Sequence, residues 1–336
     1  MSKALIAIDK SKSYRVYITI TTDMVQQAAD IHDTTPLASA GLGRVLTAAG
    51  LMGIMLKNDD EKLTVNFKGD GPAKQILATA YGDGSVKGYI ANPYVDLPLK
   101  ANGKLDVGGS LGTGELTVIK DLGLKEPYIG TIALASGEIA DDLTAYFFIS
   151  EQQNSSVALG VKVERDLSIG AAGGMVIQML PDAEEGAIDA LEAMIGKMEP
   201  LTTIISRVAE SSAGMTEAGM VQKLLEEIFA DMPDEYMPQI LEEREIRWNC
   251  DCSHERMARA LATIGRHDMQ EIIEEDGHAE LQCHFCLKKY DFQKGQAFLL
   301  CAEFLRRLKI ISLNAPRWKR AAGCICKTPP RKRLTD

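Results

Sequence analysis

Four cysteines in two tight pairs constrain this chain more than any other feature. They fall as Cys250-Asp251-Cys252, a gap of thirty residues, then Cys283-His284-Phe285-Cys286. Four thiolates brought together at this spacing suit one tetrahedral Zn2+. The same spacing also suits two local disulfides, so the cluster can act as a redox switch as well as a staple. Between the pairs, Glu255 to Ile264 is an apolar-periodic run, followed by Gly265 and a second run from Met269 to Glu275. Two short helices with a Gly-containing junction fit this pattern. Such a module is too small to bury a persuasive core, and a structural thiolate site would supply the missing free energy, on the order of 10–16 kcal/mol. His284, His254 and His278 are alternative ligands by chemistry but not by spacing, so four sulfurs are the simpler set.

The rest of the chain sets the context. There is no run of eighteen apolar residues, and the first apolar stretch, Ala4 to Ile8, is too short for a signal peptide. That stretch reads as an edge-to-core strand, and the expected location is the cytoplasm. Seven cysteines in such a setting favour metal or redox chemistry over a disulfide frame. The net charge of −10 is uneven: residues 301–336 carry ten basic residues against two acidic ones, and everything before them is strongly acidic. The main body should repel nucleic acid, whereas the tail could attract it.

An α+β architecture is expected. Tyr14 to Ile20 alternates like a strand, and Asp23 is placed to cap a helix from Met24 to about Ile31. Pro36 opens a second helical stretch from Leu37 to Leu56. Gly41, Gly43, Gly50 and Gly53 weaken its intrinsic propensity, and close packing against a sheet would compensate. Strands are predicted near 62–68, 76–81, 85–91, 116–120, 128–134, 157–164 and 174–179, with a helix near 139–151. Few crossover helices separate them, which disfavours a doubly wound fold. Glycines mark several turns, but no Walker motif or complete dinucleotide fingerprint is present. After Pro181 the pattern becomes amphipathic and helical, over Ala183–Met198, Leu201–Val208 and Thr216–Phe229. This stretch has no evident sheet of its own, so it should dock on the first domain to hide its apolar stripes. With few buried contacts it would lie at the low-stability end of the molecule.

The organisation expected is therefore an N-terminal mixed sheet and helix domain over 1–181, a helical linker over 182–245, a small C-terminal zinc-binding module over 246–292, and a disordered, atypical basic extension over 293–336. The segments Trp248-Asn249-Cys250-Asp251-Cys252-Ser253 and Cys283-His284-Phe285-Cys286 resemble the bacterial Hsp33 family of redox-regulated 33-kDa chaperonins. So do Gly173-Gly174 with Leu180-Pro181, Ser136-Gly137-Glu138-Ile139, and Ser150-Glu151-Gln152, and the likeness runs from the first strand to about Phe292. The resemblance implies a cytoplasmic holdase rather than an enzyme. It would be inactive when reduced and bound to one zinc ion through Cys250, Cys252, Cys283 and Cys286. Oxidation would activate it, and the active form would be a homodimer that holds unfolding client proteins without ATP. The disulfides expected on oxidation are Cys250–Cys252 and Cys283–Cys286, with zinc release, unfolding of 250–286 and departure of the linker from its docking face.

Two other functions compete. A zinc ribbon for nucleic-acid binding is favoured by the tail, but the acidic runs Glu271–Asp276 and Glu242–Glu245 beside the cluster oppose it. A thiol–disulfide oxidoreductase is favoured by the two-residue gap in Cys283–Cys286, but the strand-to-helix setting of such sites is missing. Residues 293–336 depart from the family pattern. They add Cys301, Cys324 and Cys326, and Pro329-Pro330-Arg331-Lys332-Arg333 near the end.

Overall fold

The computed structural model describes residues 2–261 and 278–293. They belong to two compact units, one running to Asp251 and including His284–Leu287, the other made of the described residues from Cys252 to Cys283 and from Lys288 to Gln293. The first unit opens with strands β1 (Ser2–Asp9) and β2 (Tyr14–Ile20), then helices α1 (Thr22–His32) and α2 (Pro36–Gly53). A meander of β3 (Lys62–Gly69), β4 (Gln75–Tyr81) and β5 (Ser85–Ile90) follows, then α3 (Val107–Leu111), β6 (Gly114–Asp121), β7 (Tyr128–Ala133), α4 (Ile139–Ile149), β8 (Ser155–Val163) and β9 (Ile169–Met179). Helices α5 (Glu185–Lys197), α6 (Leu201–Ser211) and α7 (Glu217–Ile228) lead to β10 (Pro238–Trp248). The strands make one sheet in the order β7-β6-β3-β4-β5-β10-β1-β2-β9-β8. Its pairs are antiparallel except where β10 meets β5 in parallel, at Arg247–Ser85 and Trp248–Val86. The α+β class and the absence of a doubly wound sheet are as the sequence predicts.

Helix α2 is the centre of the main core. Thr35 accepts a hydrogen bond from the Ala38 amide and Pro36 occupies the first turn, which fixes the start. A Cβ on Gly41 would sit 2.9 Å from Ile76 Cδ1, and one on Gly50 would sit 2.7 Å from Ile246 Cγ2. The glycines therefore let sheet side chains approach the helix axis, which is the compensation expected for their poor helix propensity. Strand β3 alternates, with Leu63, Val65 and Phe67 buried in this core and Thr64 and Asn66 less so. Strand β9 is covered on both faces. At Gly173 a Cβ would meet Ile205 of α6 at 2.6 Å, and at Gly174 it would meet Thr47 of α2 at 2.8 Å.

Four expectations need correction. Thr21, not Asp23, occupies the cap position of α1, and Asp23 sits in the first turn, where a carboxylate favours the positive end of the helix. Strand β1 is interior, flanked by β10 and β2, rather than at an edge. The stretch 182–245 is not helical throughout, because β10 begins at Pro238. Leu241-Glu242-Glu243-Arg244-Glu245 consists of helix formers, yet it is drawn into the sheet by the open edge of β1, and Lys3 bridges Glu243 and Glu245 at 2.9 Å each. Finally, α5–α7 do not dock sparsely. Leu191, Ile204, Ile205, Val208, Leu224 and Phe229 form a second core with Leu5, Val16, Ile18 and Met175 on the opposite face of the sheet from α2. Tyr14 stacks on Phe229, and its hydroxyl donates to the Tyr236 carbonyl at 2.5 Å.

In the second unit, Ser253 accepts from the Arg256 amide and caps α8 (His254–Leu261), and β11 (His278–Gln282) pairs antiparallel with β12 (Lys289–Gln293). The hairpin was not anticipated. The second expected helix, over 269–275, and the basic extension from 294 onward, with Cys301, Cys324 and Cys326, lie outside the described residues. Among the described residues no helix is long and apolar enough to cross a membrane.

Candidate metal centre

The first cysteine pair leaves the sheet along a continuation of β10. Arg247 donates to the Asp83 carbonyl at 2.9 Å and pairs with its carboxylate at 2.8 Å. The Asn249 amide donates to the Val86 carbonyl at 2.9 Å, and the Asn249 side chain donates to Ser85 Oγ at 3.2 Å. Asp251 forms an ion pair with the buried Lys87 and accepts from the Tyr81 hydroxyl at 3.2 Å. The backbone that places Cys250 is thus pinned residue by residue to β5 and its turn.

The second pair lies in the tight turn between β11 and β12. The Cys283 amide donates to the Lys288 carbonyl at 3.0 Å, and Leu287 takes the left-handed conformation at φ 56°. His284 and Phe285 project from this turn against Tyr89, with ring centroids 5.8 and 5.5 Å away.

The structure brings all four of these cysteines together: the sulfurs of Cys250, Cys252, Cys283 and Cys286 lie within 4.8 Å of one another. Zinc–sulfur bonds of about 2.3 Å in a tetrahedron put sulfurs ~3.8 Å apart, so the group is close to the size a Zn2+ ion needs. Cys283 is buried, the other three are half-buried, and none is in a disulfide. The donor set, four soft thiols and no hard oxygen, also fits zinc. The Tyr290 hydroxyl donates to Cys252 Sγ at 3.1 Å, a contact that favours the thiolate. His254 packs on Phe292 with centroids 4.4 Å apart, and His284 packs on Tyr89. Neither belongs to the sulfur group, nor does His278 on β11. Cys283 and Cys286 sit between two strands rather than at the start of a helix, unlike the strand-to-helix setting of a thioredoxin-like site.

Sequence reasoning passed over Lys87, Tyr89 and Tyr290. Their signal is weak. Lys87 and Tyr89 alternate with Val86 and Gly88 along β5, as any strand with a polar face would, and Tyr290 lies four residues past Cys286 in an alternating pentapeptide. His32 was also missed. It is buried in the last turn of α1, with Nε2 3.2 Å from the Gly88 carbonyl and its ring edge-on to Trp248. Burial lowers its pKa, an effect partly offset by hydrogen bonds with the Gly88 and Phe285 backbone.

The family model described as Hsp33 protein matches residues 2–293. The 33 kDa chaperonin of Alkaliphilus oremlandii is 46% identical over 298 residues, which cover 88% of this chain and 95% of the relative. That of Clostridium perfringens is 49% identical over 297 residues, covering 88% of this chain and 90% of the relative. The crystal structure of the 33 kDa chaperonin from Thermotoga maritima superposes with a TM-score of 0.78 at 30% identity, over 90% of this chain and 99% of that one. With its sheet, its cysteine cluster and a family match over nearly its whole length, this chain belongs to the Hsp33 family.

Proposed function

We propose that this chain is an ATP-independent holdase that binds unfolding proteins under oxidative stress and is switched on by oxidation of its four-thiol cluster. The observation that carries this reading is the cluster itself, four sulfurs within 4.8 Å in a chain of the Hsp33 family. In the reduced state Cys250, Cys252, Cys283 and Cys286 would hold one Zn2+ per chain, which would staple the two pairs together. The small unit needs that staple, because its described buried residues amount to little more than Ala258, Leu261, Ala279, Tyr290 and Phe292 around Cys283.

Four thiolates outweigh the charge of one divalent ion, so the cluster keeps nucleophilic sulfur. A thiolate attacks one oxygen of hydrogen peroxide and releases hydroxide, becoming a sulfenic acid. The other thiol of its pair attacks that sulfur, the S–S bond forms and water leaves. One peroxide is consumed for each of Cys250–Cys252 and Cys283–Cys286. Sulfurs joined in this way no longer ligate, and the small unit that begins at Cys252 loses the staple that holds it.

The consequence for the first unit follows from chain order. Cys250 stands two residues beyond β10, and β10 joins β5 only through its last two residues, Arg247 and Trp248. Once the cysteine end is untethered, β10 loses its support on β5, and the linker is held by the β10–β1 pairing and the second core alone, which its release must break. Departure of β10 and the helices α5–α7 would bare Leu5, Tyr14, Val16, Ile18, Met175 and Ile177 of the core domain over 1–181. Together with the Met- and Leu-bearing helix faces, this surface can repack against many unfolding sequences. The active state is a homodimer, acts in the cytoplasm and performs no catalysis.

The test measures bound zinc and suppression of aggregation of a heat-unfolded enzyme, before and after peroxide with mild warming. One zinc per reduced chain is expected, released as holdase activity appears. Cys283→Ser should bind zinc poorly and open the linker to protease in reductant. Equal holdase activity before and after oxidation, or zinc release with no gain of activity, would remove the switch. Retention of nucleic acid by the full chain but not by a version ending at residue 292 would assign the extension a separate role.

A further inference from the structure

Strand β5 shows its core face through Val86, which packs near Gly50 of α2. The alternate residues Ser85, Lys87 and Tyr89 point the other way. Each touches a segment next to a cysteine. Ser85 Oγ accepts from Asn249, Lys87 pairs with Asp251, and Tyr89 packs on His284 and Phe285. Lys87 is the central member. Its side chain is 6% exposed, and its ammonium lies 4.9 Å from the Phe285 ring centroid and 6.0 Å from that of Tyr81. It therefore contacts the residue between Cys250 and Cys252 and a residue between Cys283 and Cys286.

We propose that Lys87 is a positioning residue for the thiol cluster, tying the turn of each cysteine pair to β5 through Asp251 and Phe285. A cation this buried is tolerable only while charge and ring faces surround it. Displacing either turn leaves Lys87 with less compensation, so the sheet resists movement of the cysteines. By reciprocity, a tethered pair of turns holds its sulfurs closer to the spacing a metal requires. An exposed ion pair would do little of this, and the burial of Lys87 makes the coupling count. The inference rests on reading the cluster as a metal site.

The experiment follows zinc transfer from the reduced full-length chain to a chromophoric chelator. It compares wild type, Lys87→Met, Asp251→Asn, the double variant and Lys87→Arg, each checked by thermal melting. Hydrogen exchange at 284–287 is read in parallel. Both single variants should speed zinc transfer about tenfold, the lower end of what loss of a supporting contact does to a metal site. The double variant should be no faster than either single one, because both remove the same tether. Lys87→Arg should restore most of the slow rate, and exchange at 284–287 should quicken in Lys87→Met. If Lys87→Met does not fold, Asp251→Asn alone carries the test, since that side chain is partly exposed. Wild-type rates in Asp251→Asn, or effects that multiply in the double variant, would overturn the tether. Wild-type protein without zinc would instead overturn the metal reading, and the tether would then stand or fall on exchange at 284–287.

Discussion

Arg44, the one charged residue of α2, lies with Nη1 2.7 Å from Glu138 Oε2, and both side chains are mostly buried. Glu138 also binds Lys100 at 2.5 Å and the Gly108 amide at 3.4 Å, so it gathers α2, α3 and the start of α4 around one carboxylate. Burial alone would push this carboxyl up. The Lys100 hydrogen bond and the charges of Arg44 and Lys100 outweigh burial and hold it below the usual carboxylate range. Glu138→Gln should cost about 2–3 kcal/mol, because a cation in the core loses its counter-charge. A carboxylate with a depressed folded pKa stabilises the fold above its unfolded pKa and loses that contribution as pH falls through the folded one. The stability gap between wild type and Glu138→Gln, read from urea unfolding, should therefore be full at pH 7 and close at strongly acidic pH. A gap that does not change with pH would assign the loss to packing instead of charge.

Gly50 faces Ile246 of β10 and Val86 of β5, and a Cβ there would lie 2.7 and 3.4 Å from their Cγ2 atoms. Two effects compete at this position. Replacing glycine within a helix gains up to about 1 kcal/mol in propensity for alanine and less for valine. Overpacking a filled core costs about 1–3 kcal/mol. Gly50→Ala should come out near balance and Gly50→Val clearly destabilised, by about 2 kcal/mol. The clash falls on β10, so hydrogen exchange in the valine variant should accelerate first at 244–248. Uniform acceleration across the first unit would show that β10 is not a separately yielding strand.

Much of this arrangement can be read from residue patterns, and the remainder has definable causes. Strands such as Leu63-Thr64-Val65-Asn66-Phe67 declare themselves because one face is core and the other is not. The glycines of α2 betray close packing because nothing else explains four of them in an apolar helix. The four cysteines announce their cluster through spacing alone. Strand β10 is hidden because Leu241-Glu242-Glu243-Arg244-Glu245 has the composition of a helix, and only the vacant edge of β1, a tertiary fact, recruits it as a strand. The strength with which α6 and α7 dock is hidden for a similar reason. Their stripes show that something must be covered, but not that Tyr14 and Phe229 meet in a stack. Lys87 is invisible as a site residue because its partners beside the cysteines, Asp251 and Phe285, are 164 positions away or more.

Tyr290 donates its hydroxyl to Cys252 Sγ at 3.1 Å while its ring remains buried. Tyr290→Phe removes the donor and leaves the packing in place. A thiolate deprived of that hydrogen bond is less well held as an anion, so zinc affinity should fall about tenfold in chelator competition. The melting temperature of the zinc-bound form in excess zinc should change little, since saturation restores occupancy. Unchanged zinc affinity would mean that the hydroxyl contact supports packing alone.

His32 packs edge-on against Trp248 at the end of β10. Its ring is buried against Trp248, and burial lowers its pKa despite hydrogen bonds with the Gly88 and Phe285 backbone. The ordinary value is about 6.5, so between there and the lower folded value the unfolded chain binds the proton and the folded chain does not. Stability should then rise with pH across that window and flatten above about pH 7. His32→Gln keeps a hydrogen-bonding side chain but cannot charge, so its stability should not follow that part of the curve. The other four histidines are common to both proteins, so the difference between their melting curves from pH 5 to 8 isolates His32. Trp248 lies one residue before Asn249, whose amide is bonded to Val86, so acidification of the wild type should also speed exchange at 247–249. Parallel pH curves for the two proteins would show that charging His32 does not oppose the fold.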